Sequence, residues 1–536
     1  MLLINLFMMI ALLTSCLHVS CVSAQQRRVI NGGTVTSAIT ITAPQTIVEI
    51  TGVTFSGSSA SIVISIVGMS SSVRPVWVTF CNCVFINGAA LYFTADASDS
   101  DARKAKQPVY ISIEGTRFTD GGLGFTGHFP SNSRIVIAHC SSYINSRASL
   151  LPLWGATFPG YTDGRFAYWM ALFKVYLYTK SSILFTGCFF GGTWASGQGS
   201  AAHASFPISL AYEFSLNDQS TFWMRNTTTA KVFMIHGHGA MSVTTRSSFV
   251  VENMTMVCDR FCISFADGSL TFDDRSAFVM AYNSASVPLG EEGEDLFYTG
   301  AATVFSSNSA FLIHHNVLSP YRYAFSSDSF TVKGNSIASF YMNTVAGTPW
   351  KMNIAKNTGG IAVAQCNDLA GVPLRQVAQY ETAGLLGLTA ASGCPRRASE
   401  CQYSNSSCFM PGTIGLTTTC GCQCNSIGMG PDCLGTIRPL YVNQCIETAS
   451  LLPTLTQRIT LTERESASRT VNAATVTHLK GTHSVSSSIT EWLTNTKTKS
   501  PTITRDRKRE ASNTRRATPT HINAHVRADA DAVGDA

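Results

Sequence analysis

The fold of this chain is decided by a heptapeptide that occurs in two closely similar copies, Ser220–Asn226 (STFWMRN) and Ser247–Asn253 (SSFVVEN). Each copy has a small polar residue, then Phe, any residue, an aliphatic residue and a terminal Asn. Phe249 and Val251 lie two positions apart, so on a β-strand they face the same side. One such strand cannot bury its apolar side alone, and the recurrence therefore predicts a stack of strands.

Further copies extend the pattern in both directions. The stretches Ser276–Met280, Ser309–Ile313 and Ser329–Asn335 follow the two clearest copies. The phenylalanines of all five copies lie at successive steps of 27, 29, 33 and 19 residues. Weaker copies precede them at Phe80–Gly88, Ile137–Asn145 and Phe185–Gly192. Steps of this size fit one coil of a parallel β-helix, so we predict an all-β solenoid over 27–393. An irregular all-β sandwich is the alternative.

The composition limits the function classes. The chain has 536 residues, of which 13% are charged, well below the usual quarter. Its net charge is +6, and most of that excess lies in the last ninety or so residues. A nearly neutral body lacks the basic surface that nucleic-acid binding requires, so no nucleic-acid partner is expected.

The two ends of the chain differ from the body. Residues 1–24 read as a signal peptide, because Leu2–Leu13 is almost continuously apolar and Val22–Ala24 offers small residues for cleavage. No later window is long and apolar enough to span a bilayer, which leaves membrane attachment open. Residues 446–536 are rich in Ser, Thr and basic residues and predict a disordered tail.

A cysteine cluster separates the predicted solenoid from the tail. The chain has 17 cysteines, and removal of Cys16 and Cys21 with the signal leaves an odd number, so one thiol stays free or pairs between chains. Within 394–445 the C-x-C spacing, a Gly-rich turn and a closing Cys resemble half of an epidermal-growth-factor-like module. Zinc binding by the thiolates is the alternative. The disulfide candidates are Cys394, Cys401, Cys408, Cys420, Cys422, Cys424, Cys433 and Cys445.

Three asparagines carry the acceptor triplet for N-glycosylation. They are Asn226, Asn253 and Asn405. The first two close a repeat strand, where a turn would expose them. The opposite reading, in which they stack inward and carry no glycan, stays open.

No catalytic motif stands out, and we assign no catalytic residue, cofactor or metal. The histidine pairs His236/His238 and His314/His315 lack the helical spacing of zinc hydrolases, so we expect turn or surface histidines. Acidic residues concentrate at Asp259, Asp267 and Asp273–Asp274. Two neighbouring coils could bring Asp267 and Asp273 together, which keeps a carbohydrate-active enzyme as the alternative.

These features together resemble dispersed gene family protein 1 of trypanosomatids. The resemblance rests on the secretory start, the S-x-F-x-[VIM]-x-x-N coils and the C-x-C module with its Ser/Thr-rich extension, and it covers about 30–445. It implies a large surface or secreted β-helical protein with an adhesin-like role and a membrane-anchored C-terminus. This chain is short for the family and has no spanning segment, so a truncated or released member is expected.

The function expected from the sequence is therefore adhesion. A long, low-charge face of Ser, Thr and Asn would bind extracellular glycans or host matrix proteins through hydroxyl and amide groups, and exposed aromatic rings would stack on sugars. The protein would be secreted or held at the cell surface. Besides the enzyme, a structural coat protein without a specific ligand is a further alternative.

Overall fold

The structure is a computed structural model. Contacts divide the chain into a unit that ends at Thr454 and a second unit, Leu455–Ala536, which lies outside the described residues. The described residues are 26–42, 46–67, 75–95, 98–104, 107–144, 167–192, 205–230, 234–258, 261–265, 268–286, 295–300, 302–320, 323–346, 350–356, 359–365, 367–369, 385–386, 389–390, 413–416, 422–424 and 445.

Three long sheets, named A, B and C, build the body, and we number their strands in chain order. Sheet A has thirteen strands. They are β1 (Gln26–Asn31), β4 (Thr46–Thr51), β7 (Val76–Cys81), β10 (Val109–Glu114), β13 (Arg134–Ala138), β16 (Ser182–Thr186), β19 (Thr221–Arg225), β23 (Ser248–Glu252), β27 (Ala277–Ala281), β31 (Ala310–His314), β34 (Ile337–Tyr341), β37 (Ile361–Gln365) and β40 (Thr389–Ala390).

Sheet B has twelve strands, each only two to four residues long. They are β2 (Thr34–Val35), β5 (Thr54–Ser56), β8 (Val84–Ile86), β11 (Arg117–Thr119), β14 (Ser141–Ile144), β17 (Phe189–Gly192), β20 (Thr228–Ala230), β24 (Thr255–Val257), β28 (Ser284–Ser286), β32 (Val317–Ser319), β35 (Thr344–Val345) and β38 (Asp368–Leu369).

Sheet C has fifteen strands, because in three consecutive coils its strand is broken into two short pieces. They are β3 (Ile39–Thr42), β6 (Ser61–Ile66), β9 (Ala90–Ala95), β12 (Gly122–Phe129), β15 (Ala167–Leu177), β18 (Ser205–Leu216), β21 (Ile235–Gly237), β22 (Ala240–Val243), β25 (Ile263–Phe265), β26 (Leu270–Phe272), β29 (Asp295–Thr299), β30 (Thr303–Phe305), β33 (Tyr323–Val332), β36 (Trp350–Lys356) and β39 (Leu385–Leu386). One short helix, α1, spans Asp99–Lys104 beside β12.

The chain visits the sheets in the fixed order A, B, C, and each strand pairs in parallel with the matching strand of the next coil. This arrangement is a three-sided parallel β-helix and confirms the predicted parallel all-β solenoid. A sandwich would require two sheets packed face to face, and the observed closed path through three walls excludes it.

Stacked rings fill the interior. Phe222 lies 4.4 Å from Phe249, which lies 5.6 Å from Phe278, and the ring planes are nearly parallel. Phe118 of an earlier coil contacts Trp169 edge to face at 5.2 Å. Each fully buried phenylalanine stabilises the fold by about 1.5–3 kcal/mol relative to an exposed one. The inward aromatic and aliphatic residues of the heptapeptide therefore form one continuous core.

Serines line the inside of the corner between sheets C and A. Each serine directly precedes or opens a sheet A strand and has at most 1% of its surface exposed. Ser247 Oγ accepts the backbone N–H of Ser220 at 3.1 Å, and Ser336 Oγ accepts that of Ser309 at 3.0 Å. The small polar residue of the repeat is thus a corner residue that satisfies a buried amide of the preceding coil. The buried serines are Ser133, Ser181, Ser220, Ser247, Ser276, Ser309 and Ser336.

Two consecutive positions form the corner between sheets A and B. The first adopts a left-handed backbone and points outward, as in Asn226 (φ 49°) and Asn253 (φ 50°). The second points inward, and in the last four described coils it is a buried asparagine. These four residues form the asparagine ladder: Asn283, Asn316, Asn343 and Asn367.

Each step of the asparagine ladder uses the same hydrogen bonds. Asn316 Oδ1 accepts the backbone N–H of Asn283 at 3.0 Å and its side-chain amide at 2.9 Å. Asn316 Nδ2 donates both to Met280 O and to Asn343 Oδ1, at 2.9 Å each. The buried amides thus satisfy one another and the corner backbone, which makes the alignment of successive coils specific.

The last copy of the heptapeptide was assigned wrongly from the sequence. Phe330 lies on β33 of sheet C beside Phe305, whereas the residue that pairs with Phe311 on sheet A is Ala338. The true copy begins at Ser336, 27 residues after Ser309, so the 19-residue step disappears. Ser–Phe followed by an aliphatic residue also fits a strand of sheet C, which is why the pattern alone misled.

Few of the described residues lie beyond the solenoid. Strands β41 (Thr413–Leu416) and β42 (Cys422–Cys424) pair antiparallel, while the epidermal-growth-factor-like module itself stays a prediction. The predicted signal at 1–24 and the tail at 446–536 lie outside the described residues. Among the helices that the structure describes, none has the length and apolarity needed to cross a bilayer.

Replacement of Asn316 by Ala tests the asparagine ladder. The variant leaves two buried donors of Asn283 without an acceptor, so we expect the free energy of unfolding to fall by about 2–4 kcal/mol. The urea midpoint of unfolding followed by circular dichroism measures this. The matched control is Ser284→Ala, which alters the exposed side chain next to Asn283 on the neighbouring strand β28 and should change stability by less than about 0.5 kcal/mol. Equal effects of the two substitutions would contradict a structural role for the ladder.

Candidate interaction face

The three outer sides of the solenoid differ in exposure. On sheet C the aligned outward residues Ser209, His236 and Ser264 are each less than 5% exposed, and the middle of sheet A is similarly covered. On sheet B the outward residues Thr228 and Thr255 are exposed. Within the described residues, sheet B is therefore the side most open to solvent along successive coils.

We define the sheet B face as the two outward rows of that sheet, aligned by parallel pairing. Hydroxyl groups dominate it, and only Arg117 and Asp368 carry a charge. The first row consists of Thr34, Thr54, Val84, Arg117, Ser141, Phe189, Thr228, Thr255, Ser284, Val317, Thr344 and Asp368. The second row consists of Ser56, Ile86, Thr119, Tyr143, Gly191, Ala230, Val257, Ser286 and Ser319.

Two exposed aromatic rings approach the same glycine on this face. Tyr143 is 38% exposed and Phe189 is 40% exposed, on neighbouring strands. Gly191 lies beneath both rings, since a Cβ atom there would come within 2.9 Å of a ring carbon of each. A side chain at this position would push the rings apart. Gly191 thus permits an aromatic platform of Tyr143 and Phe189 in the middle of a hydroxyl-rich surface.

The corner beside the sheet B face adds further exposed groups. Tyr282 is 43% exposed and stacks on His315 with ring centroids 4.9 Å apart. Partial burial lowers the pKa of His315, so its imidazole is neutral and the stack carries no charge at neutral pH. The corner thereby continues the uncharged character of the face.

The glycosylation candidates Asn226 and Asn253 lie on this corner and are exposed. The reading in which they stack inward is wrong for both, because the inward position belongs to the following residue. Asn253 Nδ2 donates to Asn226 Oδ1 at 2.6 Å, so the two side chains pair along the outside of the corner. Asn405 lies outside the described residues, and glycosylation of all three stays a prediction.

One histidine of each pair occupies a different position from that expected. His236 and His314 are buried, at 4% and 1% exposure, so their prediction as turn or surface residues is wrong. His236 Nε2 lies 3.2 Å from His238 Nδ1, and His314 Nδ1 lies 3.1 Å from His315 Nδ1. Among the described residues no group of three or more His, Cys, Asp or Glu side chains is placed to hold a metal ion.

The structure describes two of the four acidic candidates for catalysis, Asp273 and Asp274. Hydrogen bonds from the hydroxyls of Ser307 and Ser306 lower the pKa of Asp273, and Ser306 Oγ lies 2.8 Å from its carboxylate. Asp274 forms an ion pair with Arg275 at 3.1 Å. Both acids belong to the corner between sheets C and A. Asp259 and Asp267 lie outside the described residues, so the pairing of Asp267 with Asp273 stays a prediction.

The described cysteines show a bond that sequence reasoning missed. Cys445, grouped with the cysteine cluster from its position, is bonded to Cys81 on β7 of the solenoid, with Cα atoms 5.6 Å apart. Cys258 and Cys262 form a second disulfide within one loop. Cys422 and Cys424 begin and end β42. The other candidates, Cys394, Cys401, Cys408, Cys420 and Cys433, lie outside the described residues.

Three further cysteines are free thiols inside the corner between sheets A and B, at the position that the asparagine ladder occupies later in the chain. Cys83, Cys140 and Cys188 each donate to backbone carbonyls, as Cys140 does to Ile113 O at 3.2 Å. Burial raises the pKa of Cys83 to about 11 and that of Cys140 well above its usual value. These thiols are corner residues rather than reactive groups.

Two family models match the chain. The DGF-1 beta-sheet domain matches residues 77–206, and the DGF-1 N-terminal domain matches residues 330–434. The chain belongs to the dispersed gene family protein 1 (DGF-1) family. The resemblance drawn from the heptapeptide and the cysteine module is thereby confirmed, and DGF-1 membership indicates a surface-type protein. No curated protein and no solved structure matches the chain.

Thiol labelling tests the burial of the corner cysteines. At pH 8 the raised pKa values keep Cys83 and Cys140 protonated, and the thiolate is the species that reacts, so iodoacetamide should leave them unmodified in the native protein. Both should react fully after unfolding in urea, as measured by peptide mass spectrometry. A Thr228→Cys variant, which places a thiol on the exposed sheet B face, should react without urea. Native labelling of Cys140 at the rate of that control would contradict its placement.

Proposed function

We propose that the chain is a non-enzymatic, adhesin-like protein, secreted or held at the cell surface, whose sheet B face binds extracellular glycans or host matrix proteins. The observation that carries the proposal is the aromatic platform of Tyr143 and Phe189 within an open row of hydroxyl groups. Aromatic rings present flat apolar surface to the C–H faces of sugars, and flanking hydroxyls exchange hydrogen bonds with sugar hydroxyls.

The spacing of the face favours a polymeric partner. Matching residues of successive coils lie about 4.8 Å apart, as in any parallel sheet. A chain-like ligand that lies along the sheet B face would meet the same chemistry at each coil. Many weak contacts along one ligand raise the total affinity without a deep pocket.

An extracellular location agrees with the covalent structure. Two disulfides, Cys81–Cys445 and Cys258–Cys262, are present among the described residues. Disulfides persist in secreted and surface proteins and are rare in reducing compartments. Together with the apolar start at Leu2–Leu13, they support a secreted or surface protein.

A glycan array and immobilised matrix proteins, probed with the full chain, test the adhesin proposal. We expect Tyr143→Ala and Phe189→Ala each to weaken binding by about 5-fold, since stacking on one ring contributes on the order of 1 kcal/mol. The control is Trp77→Ala, which removes a ring of similar exposure on sheet A and should leave binding unchanged. Binding at background level would favour a structural coat protein, and equal losses in all three variants would place the binding site elsewhere.

The enzyme alternative makes a different prediction at Asp273. Its lowered pKa keeps the carboxylate ionised at neutral pH, so it cannot donate a proton as a general acid. We therefore expect no release of reducing ends from a polysaccharide panel, and unchanged glycan binding by Asp273→Ala. The matched control is Asp328→Ala, which removes an exposed carboxylate on β33 of sheet C, away from the sheet B face. Turnover that Asp273→Ala abolishes and Asp328→Ala preserves would show that the protein is an enzyme.

A further inference from the structure

The outer side of sheet A carries apolar side chains that are buried although they point away from the solenoid core. They are at most 3% exposed and occupy the same register position on successive strands. We call this set the outer apolar row: Leu184, Trp223, Val250, Val279 and Leu312.

Burial of an outward row requires a further layer of protein. At the two ends of the same side, Val29, Trp77 and Ile361 are 45%, 38% and 42% exposed, as expected for a sheet that faces solvent. Between them, neighbouring outward residues such as Thr221 (2%) and His314 (1%) are buried as well. The covering layer therefore extends over the middle of sheet A and stops before both ends.

The connectivity of the solenoid restricts which part of the chain can supply this layer. Sheets B and C form the other two walls and cannot cover sheet A. Beyond β13 the longer insertions are 145–166, 193–204, 287–294 and 370–384. Each connects a strand of sheet B to a strand of sheet C, so it leaves and re-enters the solenoid at the corner opposite sheet A. Residues 391–444, in contrast, follow β40, the last strand of sheet A itself.

The far end of that segment is fixed by a covalent bond. Cys445 is bonded to Cys81, which ends β7 and alternates with the inward residue Phe80, so it lies on the outer side of sheet A. The chain must therefore return from β40 past ten strand spacings to β7, a distance of about 48 Å. Roughly 50 residues can span several times that length when extended, which leaves enough chain to form a layer.

We propose that residues 391–444 run back along the outer side of sheet A and pack on the outer apolar row. The Cys81–Cys445 disulfide holds the end of this segment against the solenoid. The segment has few charges and several apolar residues, among them Phe409, Leu416 and Ile437, which suits contact with an apolar surface. Residues from Leu455 onward form a separate unit.

One family model spans both the last coils and most of residues 391–444. The DGF-1 N-terminal domain match begins within β33 and continues through β42 to residue 434, so one sequence unit joins the last coils to the returning segment. An intramolecular cover on sheet A also leaves the sheet B face as the open side.

Site-specific photo-crosslinking in the full chain tests the proposal. Trp223 is replaced by p-benzoylphenylalanine, which is similar in size, and the crosslinked peptides are mapped by mass spectrometry. We expect most crosslinks to reach residues 391–444 within the same chain. The control replaces Tyr143 on the sheet B face in the same way and should give almost no crosslinks to that segment. Crosslinks from position 223 to 145–166, to the tail after 454 or to a second copy of the chain would overturn the proposal.

Carbene footprinting supplies a second readout that leaves Trp223 in place. In the full chain, labelling of Trp223 should be several-fold lower than labelling of Tyr143. The double variant Leu416→Asp/Ile437→Asp should raise Trp223 labelling at least threefold, because charged groups disfavour an apolar contact. A matched Thr417→Asp/Thr436→Asp variant should have a smaller effect. Unchanged Trp223 labelling in the Leu416→Asp/Ile437→Asp variant would overturn the proposal.

Discussion

Alignment of each coil over the next is the constraint on which this structure depends. Every corner buries backbone groups that need hydrogen-bond partners, and the partner comes from the neighbouring coil. Ser336 Oγ accepts the backbone N–H of Ser309 in one corner, and Asn316 Oδ1 accepts that of Asn283 in another. A shift of one residue would leave these groups unsatisfied and turn the core phenylalanines outward. The corner residues therefore specify the alignment, while the stacked rings supply most of the apolar burial.

The same alignment gives the outside its character. Each strand of a parallel solenoid lies in register with the strand of the preceding coil. Residues at the same register position therefore form a row, and neighbouring rows form a surface. In the middle of sheet A the outer apolar row is covered, whereas the rows of the sheet B face are hydroxyl-rich and open. A covered side and an open side differ in the residue types that successive coils place at their outward positions, rather than in the presence of a pocket. That arrangement suits recognition of an extended partner better than chemistry at a single point.

The errors of the sequence reading have one physical origin. A strand of sheet A and a strand of sheet C both alternate inward and outward residues, so Ser329–Asn335 fits either wall. Asn226 and Asn283 also look equivalent in a list of repeats, yet one is exposed at a left-handed corner and the other is buried one position later. His314 was expected at the surface because nothing in its neighbours along the chain shows that sheet A is covered. These cases differ in the position of the residue within its coil, and strand pairing sets that position.

The sequence by itself determined the all-β solenoid, the approximate length of a coil and the family, since alternation of Phe and aliphatic residues with period two is a local property. It also marked Asn226 and Asn253 as corner residues. Only the tertiary structure decided which wall each strand joins, that the rings of Tyr143 and Phe189 both approach Gly191, and that Cys445 is bonded to Cys81 across 364 residues of sequence. These contacts depend on the order in which coils stack, and no short stretch of the chain encodes that order.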